Sequence, residues 1–333
     1  MSRVRAGSPG AAVTEADPGY LHLAHGVPPG LVTGLLALLH ADQGQRPHAQ
    51  FSATPCQFGM AGVAREGRSP MLNGDLPEDG DLRLGSLRLR GRRVGAALSR
   101  GQPVAWVTEE PVPDAGGAWL ALSAMAADTG LRPVLEVPSV PGGSPGEAFY
   151  NPVDVADISR LSAAAILARL WEDKTADGGD ALFTAQYQPF SGQFPGLAAR
   201  SGEQPDRDGA LRALDSVPPA RICLAAASRP ADLLAVIGWN MTDAWDSALP
   251  VCAVLRSWED RFGARLLQIG PGAEIRLLVD RPPRTTAAAQ GIAAEQWAFC
   301  SAWIDQASED ELTAISEIAP RLLNAPIWGF WWD

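Results

Sequence analysis

The chain has 333 residues, 46% of them apolar, which is enough to build one large core or two modest ones. A formal net charge of −11 at pH 7 argues against nucleic acid or an anionic membrane as the default partner, because phosphate contacts need clustered basic groups. Lysine and arginine together number 27, of which only Lys174 is a lysine; with so much Ala, Gly and Pro this reads as the codon bias of a GC-rich genome.

Residues 1–18 are rich in Gly, Ala, Ser and Pro without periodicity and are expected to form a disordered lead-in. Leu31–Leu39 (LVTGLLALL) is too short to span a bilayer, so a buried helix and a cytoplasmic protein are expected. Over residues 19–174 short strands and helices alternate, which predicts a smaller N-terminal α+β domain. Leu82, Leu84, Leu87 and Leu89 alternate with arginines, as in a half-buried hairpin. PVAWVTEEP (103–111) reads as a strand between prolines. Asp114 caps a helix carrying Trp119, Leu122, Met125 and Ala126, Gly130 stops it, and RPVLEVP (132–138) returns as a strand. Asp154 or Asp157 opens a helix running through Trp171.

Residues 175–209 lack a clear period and contain two aromatic islands, QYQPF and GQFPGLA; they are expected to be a loop or linker between domains. The C-terminal domain then spans 210–333. ARICLAAA (220–227) is a buried strand, and Pro230, Asp232 and Gly238 mark the start, dipole partner and stop of a helix. Val251, Val254, Leu255, Trp258 and Phe262 share one face of a longer helix ended by Gly263. RLLQIG and EIRLLVD form a hairpin across Pro271-Gly272. Thr285 opens an Ala-rich helix, and Ser308 with Glu311 predicts a capping box for the helix Ile315 to Leu323. Pro326 ends it, leaving IWGFWW as a last strand with apolar residues on both faces, expected to be covered on both sides. The fold class predicted is α+β, a mainly antiparallel sheet with helices packed on one face of the C-terminal domain.

LRSWEDRFGARL (255–266), EQWAFCSAWI (295–304) and the terminal WGFWWD (328–333) resemble, in order and spacing, an uncharacterised bacterial family described as domain of unknown function 4253. The resemblance covers roughly residues 220–333 well and the region upstream loosely. Ser301 and Ala302 stand where the family pattern carries a Pro-Asp pair, and Met241 where it favours Gly. The resemblance implies a domain boundary and no activity.

Chemistry is sparse. All four histidines precede residue 49, so no His general base lies within the C-terminal domain; His22 and His25 lack a third metal ligand. Cys56, Cys223, Cys252 and Cys300 show no Cys-x-x-Cys pair, and three sit in apolar runs as small hydrophobes. Lys174 lies in a charged helix end where it favours the dipole. No phosphate loop or dinucleotide fingerprint is present, and no cofactor or metal is expected. Glu259 and Asp260 follow each other on a helix and point about 100° apart, which makes them solvated rather than a facing pair. Asp243 and Asp246 flank Trp245 in a polar loop, as a ligand rim or as a cap in which Asp246 or Ser247 serves the next helix.

Eight of the eleven tryptophans lie after residue 238. Core is their first reading; a pocket formed by tryptophan edges near Asn240 and Asp243 is the second. The expectation is a non-enzymatic binding or interaction module, of accessory or immunity type, using a Trp-rich surface. Its candidate residues are Trp239, Asn240, Asp243, Trp245, Asp246, Trp258 and Asp333, the last near Arg256, Arg265 or Arg276. The expected partner is a protein or small molecule, not nucleic acid or membrane, and the oligomeric state is left open. The alternative is a carboxylate- and metal-dependent hydrolase or transferase built from Asp243, Asp246, Glu259 or Asp260.

Overall fold

A computed structural model of the chain describes residues 74–138, 143–176, 181–240, 245–270, 273–300 and 314–332. The expected lead-in, Leu31–Leu39, His22, His25, Cys56, Asp243, the Ser308–Glu311 capping box and Asp333 lie outside the described residues.

The fold is α+β. In chain order it runs β1 (Gly80–Leu84), β2 (Leu87–Gly95), β3 (Pro103–Thr108), α1 (Ala115–Ala124), α2 (Ala126–Thr129) and β4 (Leu131–Glu136). After a 3-10 turn at Val155–Arg160 come α3 (Ala163–Thr175), α4 (Ala181–Gln186) and α5 (Arg207–Asp215). Then follow β5 (Arg221–Ala226), α6 (Leu233–Ile237), α7 (Ala248–Phe262), β6 (Ala264–Gly270), β7 (Glu274–Val279), α8 (Thr286–Phe299), α9 (Ile315–Leu322) and β8 (Ile327–Phe330). Local chemistry sets these limits. The side chains of Asp114, Ser162, Asp206, Ser247 and Thr285 each accept a backbone N–H in the first turn of α1, α3, α5, α7 and α8. Gly263 ends α7 at φ 67°, a left-handed conformation that a side chain would strain.

The strands form one sheet in the order β1-β2-β3-β5-β4-β6-β7-β8. Every pairing is antiparallel except β4 with β6. This order changes the domain picture. β5, from the expected C-terminal domain, lies between β3 and β4 of the expected N-terminal one, so the sheet runs on across the boundary placed at 175–209. That segment is not a free linker either: it carries α4, and its rings Tyr187, Phe190 and Phe194 pack around Trp171.

The large core lies on one face of the sheet. Val107, Val134 and Cys223 point into it from the central strands, and α3 and α6 to α9 cover it. The opposite face carries a thinner layer, where α1 lies against β4, β5 and α5. There the Trp119 indole donates to the Pro133 carbonyl at 3.1 Å. Among the described residues no helix is long and apolar enough to cross a membrane.

Among the described residues β8 is the end strand of the sheet, bonded only to β7. Trp328 and Phe330 are fully buried on its inner face, while Ile327, Gly329 and Trp331 are half-buried on the other. The expected double cover is thus half met: the strand sits at an edge, and the core lies on one side of it.

Candidate functional site

Four aromatic side chains line up where α8 ends and the chain terminus returns. Trp245 meets Phe299 at 5.8 Å between ring centroids, Phe299 meets Trp332 at 5.2 Å, and Trp332 meets Trp239 at 6.5 Å. The Trp332 indole donates to the Phe299 carbonyl at 3.4 Å, and Cys300 Sγ donates to the Trp331 carbonyl at 2.9 Å. These bonds tie the tail to α8.

The row is positioned by a sharp exit from α6. Gly238 stands at φ 66°, and a Cβ there would lie 2.3 Å from the Pro152 nitrogen. Only glycine fits so close an approach. Its carbonyl accepts from the Tyr150 and Asn151 N–H groups at 2.5 and 3.1 Å, and the Asn240 N–H donates to the Ala148 carbonyl at 2.8 Å. This bridge sets Tyr150 across from Gly238 and Asn240 across from Ala148, and both Tyr150 and Asn240 are exposed. Ser247, not Asp246, caps α7, its Oγ accepting the Leu249 N–H at 3.1 Å, and Asp246 stays exposed.

Of the predicted residues, Trp239 and Trp245 belong to the row, while Asn240 and Asp246 are exposed beside it. Trp245 is half-buried, and the indole N–H groups of Trp239 and Trp245 are buried without an acceptor among the described residues. Trp258 does not belong to a surface: it is fully buried, stacked on Phe330 at 5.2 Å, with its indole donating to Glu295 Oε2 at 2.8 Å. It was misplaced because an apolar helix stripe and a binding stripe look alike in sequence. Asp243 and Asp333 lie outside the described residues.

The carboxylates of the alternative reading are already engaged. Arg229 reaches Glu259 at 3.2 Å and Asp260 at 2.6 Å, and Glu259 also accepts the Ala231 N–H at 3.2 Å. Beside them the fully buried Asp232 pairs with Arg256 at 2.6 Å. These bonds fasten the turn before α6 to α7. Glu295, buried completely, is held by both terminal nitrogens of Arg261 at 2.7 and 2.5 Å and by the Ala198 N–H at 2.6 Å. With the Trp258 indole added, its acceptor positions are filled, which marks a structural clamp on the 198 segment. Among the described residues no three His, Cys, Asp or Glu side chains converge as metal ligands.

Two titratable groups outside this corner are perturbed: Lys174, expected at a charged helix end, and Glu136, which the sequence did not single out. Lys174 does not project from its helix end: Nζ donates to the Trp297 carbonyl at 2.5 Å and sits 5.2 Å from that ring's centroid. Burial lowers it from 10.5 to about 8, an effect the nearby Cys300 opposes. Glu136, at the end of β4, is pushed from 4.5 to about 7 by burial, against the Gly146 N–H that its Oε1 accepts at 2.7 Å and against Arg221. Its Oε2 and the Arg221 Nη1 are both buried without hydrogen-bond partners among the described residues. Burial raises the Cys223 thiol far above its ordinary value and Cys252 to about 12, so both stay protonated and unreactive.

The fold and this corner define an α+β protein with an aromatic row at one end of its core. Residues 221–333, from the first residue of β5 to the chain end, match the family "Domain of unknown function (DUF4253)". No curated protein and no solved structure matches the chain.

Proposed function

We propose that the chain is a binding module whose docking face is the corner formed by Tyr150, Asn240, Trp245 and Asp246 over the aromatic row. The observation that carries this reading is Trp245. It is half-buried, its indole N–H is buried without an acceptor among the described residues, and its neighbour Asp246 is exposed. A half-exposed tryptophan is the side chain that binding surfaces favour, because its ring offers a large, rigid apolar area to a partner. The metal-hydrolase alternative draws on Asp243, Asp246, Glu259 or Asp260, and Arg229 already pairs with both of the last two. Buried Cys223 and Cys252, which form no disulfide among the described residues, support a reducing compartment, hence the cytoplasm.

The test compares the protein with its Trp245→Ala variant as baits in native lysate, after both give the same melting temperature. Expected is a partner retained by the parent and lost by the variant. Equal capture by the two would remove Trp245 from the docking face and with it this reading.

A further inference from the structure

We propose that the outer face of the β1–β2 hairpin is a docking ladder for an extended acidic segment of a partner protein, with carboxylates at alternate residues. Its arginines lie outside the Trp245 corner, with which it shares only Tyr150 at one end.

Residues 80–95 hold five arginines against one aspartate in a chain of net charge −11. Strand alternation sorts them by face. Arg93 points to the side of the thin layer, where it is consumed: its backbone N–H donates to Asp79, and its guanidinium to the Pro77 and Leu76 carbonyls and to Glu78. Arg88, Arg90 and Arg92 point to the other side. The register sets Arg92 opposite Val107, a residue of the large core, so this is the face that α6 and α7 cover farther along the sheet. Among the described residues no helix covers it over β1 and β2, and Arg83, Arg88, Arg90 and Arg92 are exposed.

Arg83 and Arg88 stand directly across from each other. Like charges in that position, ~5 Å apart at Cβ, destabilise a two-strand pairing. Arg90 leans toward Asp81 at 4.0 Å and Glu109 at 3.1 Å, exposed contacts that water and salt weaken. Among the described residues no carboxylate pairs with Arg88 or Arg92. At Arg88 and Arg92 an incoming anion would therefore displace no carboxylate of the described residues.

Spacing selects the anion. Arg88, Arg90 and Arg92 repeat every second residue, about 6.6 Å apart, which is the repeat of carboxylates on alternate residues of another extended chain. The ladder ends at Leu98 and Tyr150, 53% and 49% exposed and joined by the Leu98 N–H to the Tyr150 carbonyl at 2.7 Å. These give the segment an apolar foothold. A nucleic-acid strand fits less well: the field of a −11 chain repels a long polyanion, and the ladder itself interleaves its arginines with no aromatic ring on which bases could stack.

The experiment is fluorescence anisotropy with the full-length protein and a labelled octapeptide of alternating Asp and Thr. An octapeptide of the same composition with the aspartates in adjacent pairs, and an oligothymidine of equal charge, are the competitors. The expected result is saturable binding to the alternating peptide, favoured over both competitors and weakened by salt. The Arg88→Gln/Arg92→Gln variant, checked for an unchanged melting temperature, should bind roughly tenfold more weakly. Arg169→Gln, an exposed arginine on α3, should leave binding unchanged. No binding at low salt, equal affinity for the two peptides, preference for oligothymidine, or an effect of Arg169→Gln equal to that of the double variant would each overturn the proposal.

Discussion

Glu136 is carried into the core because β4 is an interior strand and its last side chain points to the covered face, beside Arg221 of β5. Its acid form is favoured in the folded protein up to about pH 7, and in the unfolded chain only up to about 4.5. The stability this adds is complete below 4.5 and is lost as pH rises through 7, at which point a buried charge remains. Over that window the loss approaches ~3 kcal/mol. Glu136→Gln should flatten the dependence: urea unfolding at pH 5 and pH 8 should differ less in the variant, which should be the more stable protein at pH 8. Lys174 gives a second measurement. As the only lysine, it is the single side-chain amine that an acylating reagent can find, and its labelling, followed by peptide mass, should reach half its limiting rate near pH 8 rather than 10.5. Neither residue was legible beforehand. A glutamate after an apolar run and a lysine at a helix end both look solvated, and only long-range packing against the 144–150 loop and against Trp297 takes them out of water.

At the scale of elements the sequence was far more informative, because strands and helices are specified by neighbours in the chain. The stripe Val251–Phe262, the stops at Gly130, Gly238 and Gly263, and the Thr285 cap all stand where spacing puts them. β8 shows the limit. Its alternation identified a strand but not its place at the sheet edge, since that depends on whether anything pairs beyond it. Its inner residues nonetheless belong to the core: Phe330 stacks on Trp258 and meets Phe299 at 5.3 Å. Phe330→Ala should cost ~3–5 kcal/mol in denaturant titration, a large part of a typical ~5–15 kcal/mol total. Gly238→Ala should be comparably severe, because the added Cβ meets backbone atoms of Asn151 and Pro152, which cannot rotate away. The two losses should differ in kind: Gly238→Ala should also shift Asn240 and Tyr150 and so disturb binding at the corner.

For the molecule as a whole, the governing fact is that β4 lies between β5 and β6. Sequence reading places strands in order along the chain and has no means of weaving one between two others, so it drew a boundary where none divides the sheet. The family match begins at Arg221, yet within residues 221–333 the strands β5 and β6 are not paired; β4 joins them through six residues paired to β5 and a parallel contact to β6. A polypeptide of residues 221–333 alone should therefore show no cooperative melt by calorimetry, whereas residues 74–333 should melt in one transition. The same weave has a meaning in time. β3 and β4 leave the ribosome early but are not partners of each other, and the strand that satisfies both is β5. It emerges about 85 residues after β4, which at ~5–20 residues per second leaves both edges open for roughly 4 to 17 seconds. Throughout that interval the nascent chain displays apolar strands with unpaired hydrogen-bonding edges, the condition in which neighbouring polysomal chains pair with one another. Slow translation through residues 137–220 should therefore lower the soluble yield of this protein, and chaperone occupancy should fall once β5 has been made.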